Sequence, residues 1–119
     1  MNHAERRLHI AIADYLTVAL PPDVVWTHFP AGEKRTPKTG ALLKRMGLKK
    51  GIPDFLIWWH GKSYAIEVKA PGGEVKVAQL RMINRLRAAG VDVCIAYRFD
   101  AVESFLRAIG VPLRARAAA

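Results

Sequence analysis

Cysteine is almost absent from this chain of 119 residues, in which Cys94 is the only one. A single cysteine excludes an intrachain disulfide. Cys94 lies in the apolar run 91–97, where a free cysteine is expected to behave as a small buried hydrophobe. A cytoplasmic location is the simplest expectation for such a chain.

Long apolar runs are also missing. No stretch approaches the roughly twenty apolar residues that a membrane-spanning helix needs, and the charged N-terminus lacks the continuous hydrophobic segment of a signal peptide. The sequence has no internal repeat and no low-complexity region. These absences predict a soluble protein with no membrane partner, folded as a single domain over residues 1–119 around one modest core.

Acidic residues are few, with 10 Asp and Glu against 19 Lys and Arg, so the formal net charge is +9. The imbalance is greatest in residues 34–50, here called the basic segment, which carries Lys34, Arg35, Lys38, Lys44, Arg45, Lys49 and Lys50. Such a cluster predicts a polyanionic partner, because these side chains neutralise phosphates and release counterions. Each charge alone also fits an ordinary solvated surface, but the cluster as a whole favours nucleic acid.

Two further cations extend this prediction. Arg81 and Arg85 lie one turn apart on a predicted helix and form a second candidate stripe for nucleic acid.

Hydrophobic periodicity predicts eight elements in the order αβαββαβα. The predicted helices cover residues 5–20, 41–46, 74–89 and 100–109, with Asp100 as the N-cap of the last, and the strands cover 24–28, 55–59, 64–69 and 92–97. Residues 29–40 contain two prolines and two glycines and are predicted to form a loop. A helical crossover makes the last two strands parallel. The fold class is therefore α/β, with a mixed sheet covered by helices on one or both faces.

Three ionisable side chains are placed by this pattern near one end of the predicted hairpin. Glu67 and Lys69 point to the same face of one strand, about 7 Å apart. Pro53 cannot join a hydrogen-bonded ladder, so Asp54 lies at the start of the other strand, where a bend can aim its carboxylate at Glu67. The alternative is an exposed sheet face on which Glu67 and Lys69 are solvated partners.

Two carboxylates and the main-chain carbonyl of Val68 form a set of oxygen ligands. Such a set suits Mg²⁺ or Mn²⁺ rather than zinc, which prefers nitrogen and sulfur. A metal there polarises a phosphate and lowers the pKa of water, while Lys69 orients that water and offsets negative charge.

Gln79 lies on the apolar face of the predicted helix 74–89 together with Met82, Ile83 and Leu86. A glutamine there needs hydrogen-bond partners. It either reaches the charged groups or satisfies a nearby backbone group. His28 leaves a similar choice open, between a contact with substrate or a position near the metal and a structural role.

The segments 50–55, Lys-Gly-Ile-Pro-Asp-Phe, and 66–69, Ile-Glu-Val-Lys, resemble the motifs of the PD-(D/E)XK nucleases, and in particular of the VRR-NUC (virus-type replication-repair nuclease) domains. The resemblance implies a restriction-endonuclease-like core in which Asp54 and Glu67 bind metal and Lys69 is catalytic. It also implies roles for a glutamine on the following helix, matched by Gln79, and for an acid in the first helix, matched by Glu5.

Function follows from the resemblance as an expectation. The chain is expected to be a Mg²⁺- or Mn²⁺-dependent DNA endonuclease, selective for branched DNA. Stand-alone members of the family look like Holliday-junction resolvases, which implies a homodimer and a place in phage replication or repair. Two alternatives are a nucleic-acid-binding module without chemistry and a subunit that acts only within a larger complex.

Overall fold

The computed structural model describes residues 2–30 and 34–115. In chain order the elements are α1 (His3–Ala19), β1 (Val25–His28), α2 (Pro37–Arg45), β2 (Phe55–Trp59), β3 (Lys62–Val68), α3 (Val77–Ala88), β4 (Asp92–Ala96) and α4 (Phe99–Ala108). This order confirms the predicted αβαββαβα. The strands form one four-stranded sheet in the order β1-β2-β3-β4.

The sheet is mixed, as predicted. β1 and β2 pair antiparallel to their successors, whereas β3 and β4 are parallel. The turn between β2 and β3 is tighter than expected, because only His60 and Gly61 separate the strands. Both residues have positive φ, 49° and 75°, which is the backbone of the two-residue hairpin turns that follow the twist of the strands.

Helices cover both faces of β3. On one face the main core joins the sheet to α1 and α4 around Phe55, Ile66 and Leu106. On the other face, Ala65 and Val93 pack against Ile83 of α3. All residues from 64 to 68 are consequently buried. This strand holds the two charged groups that the sequence singled out.

Coverage of the second face is incomplete. Trp58 on β2 is 42% exposed and its cross-strand partner Val25 is 60% exposed. α3 therefore shields the β3–β4 half of that face and leaves the β1–β2 half open. Cys94 is only partly buried, at the edge of the main core, and is less enclosed than predicted.

The prediction of a loop over 29–40 was wrong from Pro37 onwards. α2 begins there because the Thr36 side chain accepts a hydrogen bond from the Thr39 amide, and proline fits the first helical position. Proline and Gly40 were interpreted as helix breakers, although Pro37 starts the helix and Gly40 lies within it.

Two other helix starts differ from the prediction. α3 begins at Val77 rather than at residue 74. The N-cap of α4 is Arg98, so Asp100 lies in the first turn instead, where a carboxylate favours the helix dipole. Within the described residues, no helix combines the length and apolar character needed to cross a membrane.

Candidate active site

Asp54 is held by main-chain and side-chain hydrogen bonds just before β2. Its carbonyl oxygen accepts from the Phe29 amide at 2.8 Å and contacts His28 Nδ1 at 2.9 Å. A carbonyl only accepts, so His28 Nδ1 carries the proton. The carboxylate of Asp54 accepts from the amide of Val68 at 2.8 Å. Asp54 thus lies just before β2, where Pro53 was predicted to place it, and its hydrogen bonds join it to the ends of β1 and β3.

Glu67 and Lys69 lie at the end of β3, on the side where Asp54 is fixed. The ammonium of Lys69 is 3.8 Å from Glu67 Oε2, and the residues are only 6% and 3% exposed. Their burial excludes the alternative of a solvated pair on an open sheet. Asp54, Glu67 and Lys69 form one group, here called the carboxylate centre.

Glu5 also reaches this centre. Its Oε1 lies 4.0 Å from Lys69 Nζ, so the buried ammonium stands between two carboxylates. Asn2 caps α1 by accepting from the Glu5 amide at 2.8 Å, which fixes the helix turn that carries the glutamate. The structure therefore places Glu5 beside the carboxylate centre, as predicted for the acid of the first helix.

Gln79 performs both of the tasks that were proposed as alternatives. Its Nε2 donates to Glu67 Oε2 at 3.1 Å, and its Oε1 accepts from the amide of Lys76 at 2.9 Å. One side chain thus satisfies an orphan amide at the start of α3 and holds the buried glutamate.

Gly51 is part of the site for a physical reason that is visible only in the structure. Its φ is +83°, and a Cβ built there lies 2.4 Å from the carbonyl oxygen of Ala78 and 2.9 Å from Cα of Gln79. The segment leading to Asp54 therefore passes against the backbone of α3. This close approach joins the position of Asp54 to that of Gln79.

Burial and mutual repulsion change the titration of the two acids. Loss of water, followed by the charge of Asp54, raises the pKa of Glu67 to about 8, against the smaller opposing effect of Lys69. Burial likewise raises the pKa of Asp54, although the hydrogen bond from Val68 opposes the change. Ionisation of both acids is therefore unfavourable in the carboxylate centre alone, and a divalent cation there would stabilise the ionised forms.

The donor set fits Mg²⁺ or Mn²⁺. Within residues 2–30 and 34–115, no three His, Cys, Asp or Glu side chains come together as ion ligands. The available donors are the carboxylates of Asp54 and Glu67, with the carbonyl of Val68 in the same strand as Glu67. Hard oxygen donors completed by water are typical of Mg²⁺ sites, which seldom form cages of protein ligands alone.

His9 is a neighbour of the site that the sequence analysis missed. Its ring stacks on Phe55 and meets His28 edge to face, with both ring centroids 4.4 Å away. Burial lowers its pKa, and within the described residues Nδ1 has no hydrogen-bond partner. The available signal was its position one turn after Glu5 on the buried face of α1.

The cations predicted to bind nucleic acid lie mostly at the surface. Lys34, Lys38, Lys44, Arg45, Lys49 and Lys50 are exposed, as are Arg81 and Arg85 on α3, and none of them forms an ion pair within the described residues. Arg35 is half-buried and donates to the carbonyl of Pro30 at 2.8 Å. Arg87 does not belong to the stripe of Arg81 and Arg85, because its guanidinium donates to the carbonyl of Val93.

In a comparison with protein families, residues 10–99 match the VRR-NUC domain. This range includes the carboxylate centre and Gln79 and covers most of the chain. The chain belongs to the VRR-NUC family. It is accordingly a member of a nuclease family, as its motifs implied.

Solved structures agree with this assignment at the level of the fold. One that is described as a "VRR_NUC domain protein" matches with a TM-score of 0.67 at 23% sequence identity, covering 90% of this chain and 88% of the other. The likeness supports a restriction-endonuclease-like core in this VRR-NUC chain. A comparison with curated proteins gave no match.

Proposed function

We propose that this VRR-NUC protein is a metal-dependent endonuclease that hydrolyses phosphodiester bonds of DNA. The observation that carries the proposal is the convergence of Asp54, Glu67 and Lys69 in a buried position that Gln79 and Glu5 complete. Buried charges are costly, so a set of five polar side chains brought to one point favours chemistry over a purely structural role.

Asp54, Glu67 and the Val68 carbonyl would hold Mg²⁺ or Mn²⁺. The ion supplies Lewis-acid polarisation of the phosphate and a lowered pKa for the attacking water. Lys69, 3.8 Å from Glu67, orients this water and offsets the charge that develops on the phosphate oxygens. The water oxygen bonds to phosphorus and gives up one proton, the bond from phosphorus to the leaving oxygen breaks, and the leaving oxygen takes up a proton.

Glu67 and Lys69 need a fixed geometry for these tasks. Gln79 donates to Glu67 Oε2 and thereby leaves fewer orientations for its carboxylate. Glu5 holds the other side of the Lys69 ammonium. We assign positioning roles to Gln79 and Glu5, since each acts through its neighbour in the carboxylate centre.

DNA is the proposed substrate because exposed cations flank the site on α2 and α3. The basic segment would neutralise phosphates on one side, with Arg81 and Arg85 on the helix that carries Gln79. By analogy with stand-alone members of the family, we propose a branched substrate and a homodimer, whose two-fold axis would place two centres on opposite strands of a junction. A cytoplasmic location fits this substrate.

The test is cleavage of end-labelled four-way junction, flap, plain duplex and single-stranded DNA with Mg²⁺ or Mn²⁺, each beside an EDTA reaction. The Asp54→Asn protein is run in parallel, with Asp14→Asn as its matched control, because Asp14 is exposed on α1. Cleavage that needs metal, persists in Asp14→Asn and is lost in Asp54→Asn supports the nuclease. Paired cuts confined to the junction support the branched substrate.

Two other results would replace this proposal. DNA binding without a metal-dependent product on any substrate would favour a binding module whose basic segment does the binding. Activity that appears only after addition of a copurifying protein would favour a subunit of a larger complex.

A further inference from the structure

A cavity of about 460 Å³ lies between α2 and the segment that follows β1. Phe29 and Arg35 line it on one side, and Leu43, Met46 and Leu48 line it on the other. Most of this lining is apolar, although every side chain of α2 remains at least partly exposed. The helix therefore borders this space instead of filling it.

The cavity adjoins the carboxylate centre through the backbone. The amide of Phe29 donates to the carbonyl of Asp54, so the residue that supplies the aromatic wall is hydrogen-bonded to a proposed metal ligand. On the other wall, Leu48 is followed by Lys49, Lys50 and the glycine that packs on α3. A group in the cavity would lie close to a phosphate bound at the centre.

The surroundings of the cavity carry strong positive charge. Lys44 and Arg45 lie on α2 between the two lining residues Leu43 and Met46, and Lys49 and Lys50 follow directly. These four cations are exposed and form no ion pair within the described residues. An occupant must then combine an apolar, flat surface for the cavity with negative charge for the rim.

A nucleotide has this combination of properties. We propose that the cavity holds an unpaired nucleobase of the DNA substrate, stacked on Phe29, while the cations bind the adjoining phosphates. The proposal rests on the proposed nuclease function and deepens it. A base within a duplex must first be unpaired and unstacked, whereas moving an unpaired base at a bulge or branch into the cavity requires less free energy. The cavity would thus select DNA that contains unpaired nucleotides.

The test measures binding of the uncut DNA by the Asp54→Asn protein in Mg²⁺. Two labelled probes are compared, a plain duplex and the same duplex with one unpaired 2-aminopurine. Fluorescence anisotropy should give an affinity for the bulged probe about tenfold higher than for the plain one. Emission of the 2-aminopurine should fall on binding, because the base stacks on an aromatic ring.

A matched pair of variants locates the effect. Leu43 lines the cavity, whereas its neighbour Leu42 is 57% exposed and is not part of the lining. Leu43→Trp should fill the cavity and remove the preference for the bulged probe, while Leu42→Trp adds the same ring outside and should retain it. Phe29→Leu, which removes the stacking surface without adding volume, should also reduce the preference and restore 2-aminopurine emission. Circular dichroism and thermal melting verify that each variant is folded.

Equal affinity for the two probes would overturn the inference, as would a preference that persists in both Leu43→Trp and Phe29→Leu. Failure of the nuclease proposal would give a different result, because the wild-type protein would then cut no DNA with Mg²⁺ or Mn²⁺. If the wild-type protein cuts DNA but the probes bind equally, only the nucleobase site is wrong.

Discussion

In the carboxylate centre Glu67 and Lys69 are 3% and 6% exposed, whereas Leu42 on α2 and Met46 at its C-cap are 57% and 74% exposed. The first region is held by hydrogen bonds that cross from β3 to Asp54 and to α3. The second is a short helix without a fully buried residue. Both regions are proposed to meet the same substrate.

The difference reflects the demands of two tasks. Bond hydrolysis depends on distances, and buried groups keep these distances because packing leaves them few alternatives. Recognition of a phosphate backbone depends on charge that water and salt can screen, so solvated cations on a loosely packed helix are sufficient. Variants in the two regions should therefore change different quantities.

The largest expected effect is on the cleavage rate, and it distinguishes Lys69 from Lys49. Lys69→Met should lower the cleavage rate by about a hundredfold to a thousandfold, because it removes the ammonium that offsets charge on the phosphate. Lys49→Met deletes the same charge from the basic segment and should change the rate at saturating protein by less than about twofold. Single-turnover cleavage measures both. A similar loss of rate in the two variants would show that the regions are not divided as described.

The next effect concerns pH. Because the pKa of Glu67 is raised to about 8 in the folded protein, the folded state binds its proton more tightly than the unfolded state does. The free energy of unfolding is therefore greatest near pH 4.5 and falls as the pH rises from 4.5 towards 8. In EDTA we expect a loss on the order of 3 kcal/mol, and a smaller loss in Glu67→Gln.

Denaturant unfolding across this pH range checks the result. Glu74→Gln is the matched control, because Glu74 is exposed ahead of α3 and its replacement should leave the wild-type slope unchanged. Mg²⁺ or Mn²⁺ should restore stability near pH 8, since the ion binds the ionised carboxylates. A wild-type slope that persists in Glu67→Gln would place the titration elsewhere.

The third prediction tests the contact between the Asp54 segment and α3. Gly51→Ala should lower the free energy of unfolding by about 2 kcal/mol or more, because the new Cβ meets the backbone at Ala78 and the positive φ adds strain. Gly61→Ala is the control, since φ there is also positive, +75°, but a Cβ built at Gly61 meets no atom within 4 Å. Thermal melts should show the larger loss for Gly51→Ala, and equal losses would contradict the close approach.

The smallest effect concerns salt. Lys44→Gln should reduce the slope of log affinity against log salt concentration by about 0.9, which corresponds to one phosphate contact. Lys62→Gln removes an exposed lysine from the β2–β3 hairpin and should leave the slope unchanged. Anisotropy titrations of the Asp54→Asn protein with duplex DNA at several salt concentrations give these slopes. An unchanged slope for Lys44→Gln would remove α2 from the DNA-binding surface.

The carboxylate centre could be predicted in detail because its information is local. Strand periodicity alone places Glu67 and Lys69 on one face, and Pro53 places Asp54 at the start of a strand. Their burial could not be derived in this way, since it depends on how α3 covers that half of the sheet. The contact of Gly51 with α3 could not be derived for the same reason, because its neighbour Ala78 is distant in sequence.

The basic segment was predicted mainly from its content of Lys and Arg. Its charge was evident, but the start of α2 was not, because Pro37 breaks a helix at most positions and begins one at the first. The cavity beside Leu43 forms between two segments that are not adjacent in the sequence, so it depends on how closely they pack. Local signals such as the Thr36 cap could have corrected the helix boundary, whereas the cavity required the tertiary structure.

The hydrogen bond from the amide of Val68 to the carboxylate of Asp54 has a spectroscopic consequence. In most of a sheet an amide points at a neighbouring carbonyl, whose charge never changes. This amide points at a group that gains or loses charge with its proton and with any bound cation. In ¹⁵N-labelled protein, the resonance of one peptide group in β3 therefore reports the state of Asp54 directly, with no label attached to the site.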